Sequence, residues 1–369
     1  MEFTKFACGA DDEEKRIDRI LRRFLPQMPL GTIYKNVRSG FIRVNGKKVN
    51  QNYRILAGDE LWIAAVLLNE NAAIQTEKTE KNEKSPASPA KKENSNINNA
   101  QIAVKLDIVF QNEHLMFVSK PYGVSSQGGE NTKNGGEISV DDMVKKLFAS
   151  SSGKNAEKLP ASLSFSPGPL HRLDKNTSGL LVFSQSTAGA RWFSQKIASH
   201  NLQKIYLGVV QGKLAQKQTW QNYILQNENA EKGFKTVKIA GKNDEKKGKL
   251  AVTHVAPLAY GKIGSTNLTL CQFIIETGRK HQIRAQSSFN GFALAGDSAY
   301  KSAVTLPDSF GRQFFLHAYK LIFPQNDSKR EELKIPVELC AKLPNDFRDF
   351  LDFAHFNFSE SEYNQRPVE

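Results

Sequence analysis

Residues 71–102, NAAIQTEKTEKNEKSPASPAKKENSNINNAQI, are rich in Lys, Glu, Asn, Ser and Pro and almost free of aliphatic side chains. Such a stretch cannot bury enough apolar surface to offset the entropy lost on ordering it, so it is expected to be a flexible linker. It divides the chain into a small unit at 1–68, a linker at 69–102, a large unit at 103–358 and a tail at 359–369 that should fray. A length of 369 residues suits one large core plus an accessory unit. Two shorter polar stretches, 150–162 and 227–249, read as surface loops or hairpin tips of the large unit.

The chain carries a net charge of +13. From Lys15 to Arg54 there are eleven Lys or Arg against one acid, Asp18, so +10 of that +13 lies in one short segment. A local excess of this kind points to a polyanionic partner. Residues 15–25, KRIDRILRRFL, put Ile17, Ile20, Leu21, Phe24 and Leu25 on one helical face, and Pro26 ends the run. A second helix is expected through TIYKNVRSG, capped by Thr32 and stopped by Gly40. FIRVNGKKVN then reads as strand, Asn45-Gly46 turn and second strand. The cations of this unit, Arg16, Arg19, Arg38, Arg43, Lys47 and Lys48, are the candidate contacts to that polyanion, nucleic acid or an anionic membrane surface, since the helix face has almost no acids to pair with them.

Cys8, Cys271 and Cys340 are far apart and show neither a disulfide framework nor zinc spacing, and the seven scattered histidines give no ligand pattern, so no metal is expected. The N-terminus lacks an apolar run long enough for a signal peptide, and the longest aliphatic stretch, IAAVLL, is too short to span a bilayer. A cytoplasmic protein with no membrane role is expected.

The large unit alternates strand-like and helix-like segments. LDIVFQNEHLMFVSKP gives two strands about an Asn112-Glu113 turn, and LLVFSQS, KIYLGVVQGKL, NLTLCQFIIETG and FLHAYKLIFP give further strands. TAGARWFSQKIASH, KHQIRAQSSFNG and the Phe-rich NDFRDFLDFAHFNF read as helices. Strands joined by hairpins and separated by a few helices argue for an α+β fold with a mixed, mainly antiparallel sheet and flanking helices. No glycine-rich phosphate loop is present.

In HRLDKNTSGLLVFSQS, residues 171–186, an aspartate stands between a basic pair and a turn. Taken alone, Asp174 is a turn residue that bonds its own backbone. The stretch does not stand alone. It resembles the HRLD motif of RNA pseudouridine synthases, and KIYLGVVQG, TGRKHQIRAQ, GDSAY and FLHAYKLIF follow in that family's order, with KPYG at 120–123 before them. Gly208 stands where the family commonly has alanine. The small unit, with its VNG turn and GDEL at 58–61, resembles the S4 RNA-binding module. Several ordered motifs form a strong signal where any one would be weak.

This resemblance implies an isomerase. The N1–C1′ bond of an RNA uridine is broken, the uracil is turned, and C5 is joined to C1′. Asp174 is then the essential carboxylate, attacking C1′ or assisting proton loss from the sugar, because bond breaking puts positive character there. Arg284 is implied as its bidentate partner, favouring the charged form. Tyr206 is implied to stack on the base; in the strand pattern it faces away from Ile205, Leu207 and Val209, with Gly208 leaving room beside it for a flat ring. Arg172 and His171 are candidate substrate contacts, and Leu316 a candidate apolar wall. His281 and His317 are expected to orient backbone or loops. Every substrate atom is retained, so no cofactor is implied. Large-subunit ribosomal RNA or its assembly intermediates is the implied partner, met by a monomer; transfer RNA, or both RNA types, is the alternative target. A non-catalytic RNA-binding or ribosome-assembly factor is the rival of another class, and a glycosidase lacks a second carboxylate in a matching motif.

Overall fold

The computed structural model describes residues 1–71, 106–128, 138–154, 163, 165–226, 236–241 and 244–365. Cα packing divides the chain into two compact units, one of residues 1–105, 146–167 and 186–188, the other of 106–145, 168–185 and 189–369. The expected linker lies outside the described residues from 72 onward.

In the first unit, β1 (Phe3–Ala7), β2 (Ile42–Val44) and β3 (Glu60–Ala64) form a sheet in the order β1-β3-β2. Beside it are α1 (Ile17–Phe24), α2 (Leu30–Ser39) and helical residues 65–71, α3. The apolar face of α1 is buried as its spacing requires: Ile17, Ile20 and Leu21 join Ile33 and Val37 of α2 and Ile42, Leu61 and Ile63 of the sheet in one core. Gly40 ends α2 at φ 83°, as expected, but Pro29 and not Thr32 stands at its N-cap. Pro29 needs no N–H partner there. The second strand expected after Asn45-Gly46 does not form. The turn does, with φ 50° and 75°, but beyond the Val44–Lys47 bridge KKVN offers one apolar side chain, and β2 pairs with β3 instead. Buried Asp59 explains the pairing of VNG with GDEL, since it accepts hydrogen bonds from Asn45 Nδ2 (2.8 Å), Tyr53 Oη (3.0 Å) and Leu56 N (2.9 Å).

Among the described residues the second unit is built on an eleven-stranded sheet, order β10-β9-β11-β12-β8-β13-β7-β5-β4, with β14 on β13 and β6 on β7. Its strands are β4 (Asp107–Gln111), β5 (Leu115–Lys120), β6 (Gly168–Pro169), β7 (Ser178–Ser184), β8 (Gln203–Gln211), β9 (Gln218–Gln226), β10 (Val237–Ile239), β11 (Lys249–Ile263), β12 (Thr266–Ile275), β13 (Leu316–Ile322) and β14 (Glu338–Cys340). The β13–β7 pair is parallel and the other pairs antiparallel, the mixed α+β arrangement expected. The helices that follow α3 in the chain are α4 (Val140–Lys154), α5 (Thr187–Ala198), α6 (Gln282–Phe289), α7 (Ser328–Glu332), α8 (Asn345–Phe353) and α9 (Glu360–Gln365).

Strand alternation sorts β8 onto two faces. Leu207 and Val209 pack with Leu268, Leu270, Phe315 and Tyr319 under Phe347, Phe350 and Leu351 of α8, where the Phe315 and Phe350 rings stack at 4.0 Å. Truncating Phe350 to alanine would cost roughly 3–5 kcal/mol. The opposite face carries Tyr206, Val210, Phe273 and Leu316, with Ile283 of α6 against them.

Three expectations change. Residues 150–154 continue α4, and 237–239 pair with β9 as an edge strand, within the two stretches expected as surface loops or hairpin tips. Residues 360–365 form a helix, not a frayed tail, because Tyr363 packs on Tyr319 and Glu360 accepts the Leu343 N–H at 3.0 Å. Among the described residues no helix is long and apolar enough to cross a membrane.

Candidate active site

The loop that bears Asp174 is held from several sides. Asp174 O accepts the Thr177 N–H at 3.0 Å, closing the turn into β7. Ser126 Oγ donates to Leu173 O at 2.8 Å and accepts the Leu173 N–H at 3.0 Å. On the other side of the aspartate, Lys175 O accepts from Gly123 N (3.0 Å) and Lys120 Nζ (2.9 Å), and Asn176 Nδ2 donates to Gln313 Oε1 (2.7 Å). Lys120 is fully buried and also donates to Pro121 O (2.9 Å) and Val124 O (2.7 Å). Burial pulls its pKa down to about 7, with Asp174 opposing and Arg312 assisting the fall. The KPYG segment is thus the clamp on the aspartate loop.

With its backbone used this way, the Asp174 side chain is 22% exposed and presents Oδ2 to His281 Nε2 at 3.6 Å and Arg284 Nη1 at 3.8 Å. Burial raises its pKa, while Arg284, Arg172, Lys280 and Lys120 pull it back. The self-bonded turn carboxylate that its sequence context alone suggests is not what the structure contains.

Arg284 departs from expectation. Its bidentate fork engages Asp297, Nε–Oδ2 at 2.7 Å and Nη2–Oδ1 at 2.8 Å, and only the remaining Nη1 faces Asp174. The reason is geometric: Asp297 is 2% exposed and lies along the guanidinium edge, while Tyr300 and Phe314 cover the guanidinium with ring centroids at 4.8 and 4.6 Å. Burial is the largest single influence and works against the Arg284 charge, but the hydrogen bonds to Asp297 together with the negative charges of Asp297 and Asp174 outweigh it, and the pKa is raised. The arginine is a fixed cation near the Asp174 carboxylate, not its clamp. Helix α6 that carries it is hooked to the sheet by Gln282 Nε2 on Val252 O (3.0 Å) and Gln286 Nε2 on Trp220 O (3.0 Å), one turn apart.

Tyr206 pairs with Phe273 of β12 and Ala318 of β13, and its pKa is pushed up by burial and by Asp174, so it stays a phenol. Gly208 does not leave open space beside it. A Cβ there would meet Leu316 Cδ1 at 3.0 Å and the Phe273 ring at 3.2 Å, so the missing side chain admits these two neighbours. Leu316, directly opposite Gly208, borders the slot that Asp174 and Tyr206 also line, as do Leu173, Ile275 and Ile283.

A narrow slot of about 70 Å³ is lined by Arg172, Asp174, Tyr206, His281, Arg284 and Leu316. On one side a cleft of about 440 Å³ carries Arg172, Lys175, Lys280 and Arg284. On the other, a cavity of about 420 Å³ lies between Tyr206, Arg172, Lys204 and Arg279 and the apolar Leu170, Phe193 and Ile197. Arg172, exposed, borders all three. His171 is tied to the sheet, its Nε2 accepting the Val182 N–H at 3.2 Å and its ring stacking on Phe193, and burial takes its pKa to about 4. It forms a wall of the 420 Å³ cavity and does not line the slot. His317 is fully buried between Ser178 Oγ (2.9 Å) and Ala341 O (3.0 Å). A further cavity of about 540 Å³, beside His254 and Glu276, contains none of the expected site residues. Among the described residues no group of three His, Cys, Asp or Glu side chains is placed to hold a metal.

Of the small unit's candidate RNA contacts, Arg19, Arg38, Lys47 and Lys48 are exposed. Arg16 is engaged by Asp18 at 2.9 Å, the one acid of the segment, and Arg43 Nε donates to Gly40 O at 3.0 Å while its guanidinium covers the Phe3 ring. These two are partly committed within the unit. Sequence reasoning missed Lys120, Asp297 and Tyr300 as parts of the site, although KPYG and GDSAY both stood out as motifs.

Residues 114–289 match the family model of the RNA pseudouridylate synthases. The chain is 29% identical over 332 residues to a ribosomal large subunit pseudouridine synthase C of Rickettsia bellii, covering 90% of this chain and 95% of the relative. It is 26% identical over 331 residues to a protein of the same name from Escherichia coli, covering 86% and 87%. Among solved structures, human RNA pseudouridylate synthase domain containing 1 shares the fold, with a TM-score of 0.52 and 21% identity over 71% of this chain and 94% of that one.

Proposed function

This chain belongs to the RNA pseudouridylate synthase family through residues 114–289, and from that premise we propose that it isomerises uridines of large-subunit ribosomal RNA, with Asp174 as the reacting carboxylate. The observation that carries the role of Asp174 is its position. A raised-pKa carboxylate lines a slot shared with Tyr206 and Arg284, between a cationic cleft and a half-apolar cavity.

A uridine inside folded RNA must be taken out of its stack to reach such a slot, at a cost of a few kcal/mol. The cleft of Arg172, Lys175 and Lys280 suits the phosphates that flank it, and the phenol face of Tyr206 suits the uracil ring. As the glycosidic bond lengthens, positive charge grows on C1′, and the Asp174 carboxylate answers it by attack at C1′ or by taking a sugar proton. Either path needs the ionised form. Arg284, held by Asp297, supplies fixed positive charge without covering the carboxylate. The detached uracil turns in the slot and C5 bonds to C1′; the C5 proton leaves to solvent and N1 takes one up, so the atoms balance.

The exposed cations of residues 1–71 are read as an RNA-docking surface that raises the local concentration of substrate for a monomeric, cytoplasmic enzyme. The test of the target is a map of pseudouridines in ribosomal RNA from cells with and without the protein. Loss of a defined set of large-subunit positions is expected; loss confined to transfer RNA would move the target there, and loss from neither would remove it.

A further inference from the structure

His281 precedes α6 with a left-handed backbone, φ 51° and ψ 24°. Histidine is one of the few non-glycine residues enriched in that region. Its imidazole lies between two groups, with Nε2 3.6 Å from Asp174 Oδ2 and Nδ1 2.8 Å from the Tyr300 hydroxyl.

The hydroxyl decides which ring nitrogen bears the proton. Tyr300 Oη accepts the Val237 N–H at 2.9 Å, so its own proton needs an acceptor, and His281 Nδ1 is the acceptor within reach among the described residues. Burial lifts this phenol to about 12, which keeps that proton in place at neutral pH. Burial also takes the His281 imidazole down to about 3, helped by Arg284 and Lys280, so the ring is uncharged. An uncharged ring that accepts at Nδ1 must carry its hydrogen on Nε2, the nitrogen facing the carboxylate. The opposite tautomer would turn a lone pair toward Asp174 and repel it. An imidazolium would add a second full cation and weaken the carboxylate as a nucleophile or base.

The two nearest basic groups meet the same oxygen. His281 Nε2 and Arg284 Nη1 both face Oδ2, at 3.6 and 3.8 Å, and no hydrogen bond to a described residue engages Oδ1. We propose that His281, locked by Tyr300 as the Nε2–H tautomer, is a positioning residue that steadies Oδ2 of Asp174 as a neutral donor and leaves Oδ1 as the oxygen that meets the sugar. The 3.6 Å separation shortens to a hydrogen bond when substrate fills the slot. What Oδ1 does rests on the isomerase reading; the tautomer does not.

The experiment uses the full-length protein with 15N-labelled histidine and RNA tritiated at uridine C5. In long-range 1H–15N spectra at neutral pH, the His281 signal, identified by its loss in His281→Gln, should show a protonated Nε2 and a bare Nδ1. Tyr300→Phe should release the lock, giving a mixture of tautomers, and lower kcat by roughly tenfold to a hundredfold with KM for the RNA unchanged. His281→Gln, which keeps a donor, should be faster than His281→Ala. A protonated Nδ1 in the wild type, a Tyr300→Phe enzyme with full kcat, or a glutamine variant no better than alanine would each overturn the proposal. Should the wild type release no tritium from any RNA, the isomerase reading fails while the spectrum still decides the lock.

Discussion

Asp174 is caught between burial, which favours the protonated carboxyl, and four cations, which favour the carboxylate, and burial prevails. Two outcomes follow from a raised pKa. The ionised form is the reactive one, so kcat/KM should fall on the acid side at a pH above the ~4 of an ordinary aspartate; an acid limb at or below that value would contradict it. For stability the sign reverses. Between the unfolded and the higher folded pKa the folded state binds more protons, so stability falls as pH rises through that window and the ionised group is a burden at neutral pH. Asp174→Asn should therefore melt no lower than wild type at neutral pH, as thermal unfolding would measure; a clearly lower Tm would contradict the raised pKa. That Asp174, Tyr206, Arg284 and Leu316 would border one slot was legible because each lies in an ordered motif. The Arg284–Asp297 fork was not, since its partners are thirteen residues apart on a helix and a later turn, and nothing in the spacing ranks Asp297 above Asp174. Lys120 was hidden because a lysine ending LMFVSK looks like a strand leaving the core, whereas its ammonium is spent on three carbonyls.

The element that positions the site is the β7–β13 crossing, the parallel pair in the sheet. Gly179, at φ 111°, lets the strand leaving the Asp174 turn lie against Ala318, and a Cβ there would stand 2.2 Å from Ala318 O. That conformation and that contact exclude other residues. Gly179→Ala should cost at least about 2 kcal/mol, a fall of roughly 4–8 °C in the Tm of the large unit, and lower activity by shifting the aspartate loop. A variant with native Tm and rate would show the crossing to be slack. Strands with long apolar, β-branched runs, such as β8 and β12, could be read from sequence, as could helices with an apolar stripe. The β2–β3 pairing could not, because the hairpin signal at Asn45-Gly46 gives a turn but not which later strand fills the edge. Short β10 and α9 owe their order to distant partners, Leu225 and Tyr319 among them, which local pattern does not contain.

At the scale of the molecule, composition suggests a small basic unit and a large one, whereas Cα packing groups residues 146–167 and 186–188 with residues 1–105, which no local signal announces. Replacing exposed Arg19, Arg38 and Lys47 together by glutamine should weaken binding to ribosomal RNA across sequences. It should reduce the slope of log K against log salt by about one per phosphate contact removed, and leave kcat at saturating RNA unchanged. An unaltered slope would take the docking role from these residues. The account as a whole turns on whether the Asp174 carboxylate drives uridine isomerisation, and tritium release from C5-labelled large-subunit RNA measures that directly. Wild-type protein should release tritium in proportion to pseudouridine formed, and folded Asp174→Asn should bind the same RNA yet release none above background; release by the variant at the wild-type rate would contradict the account.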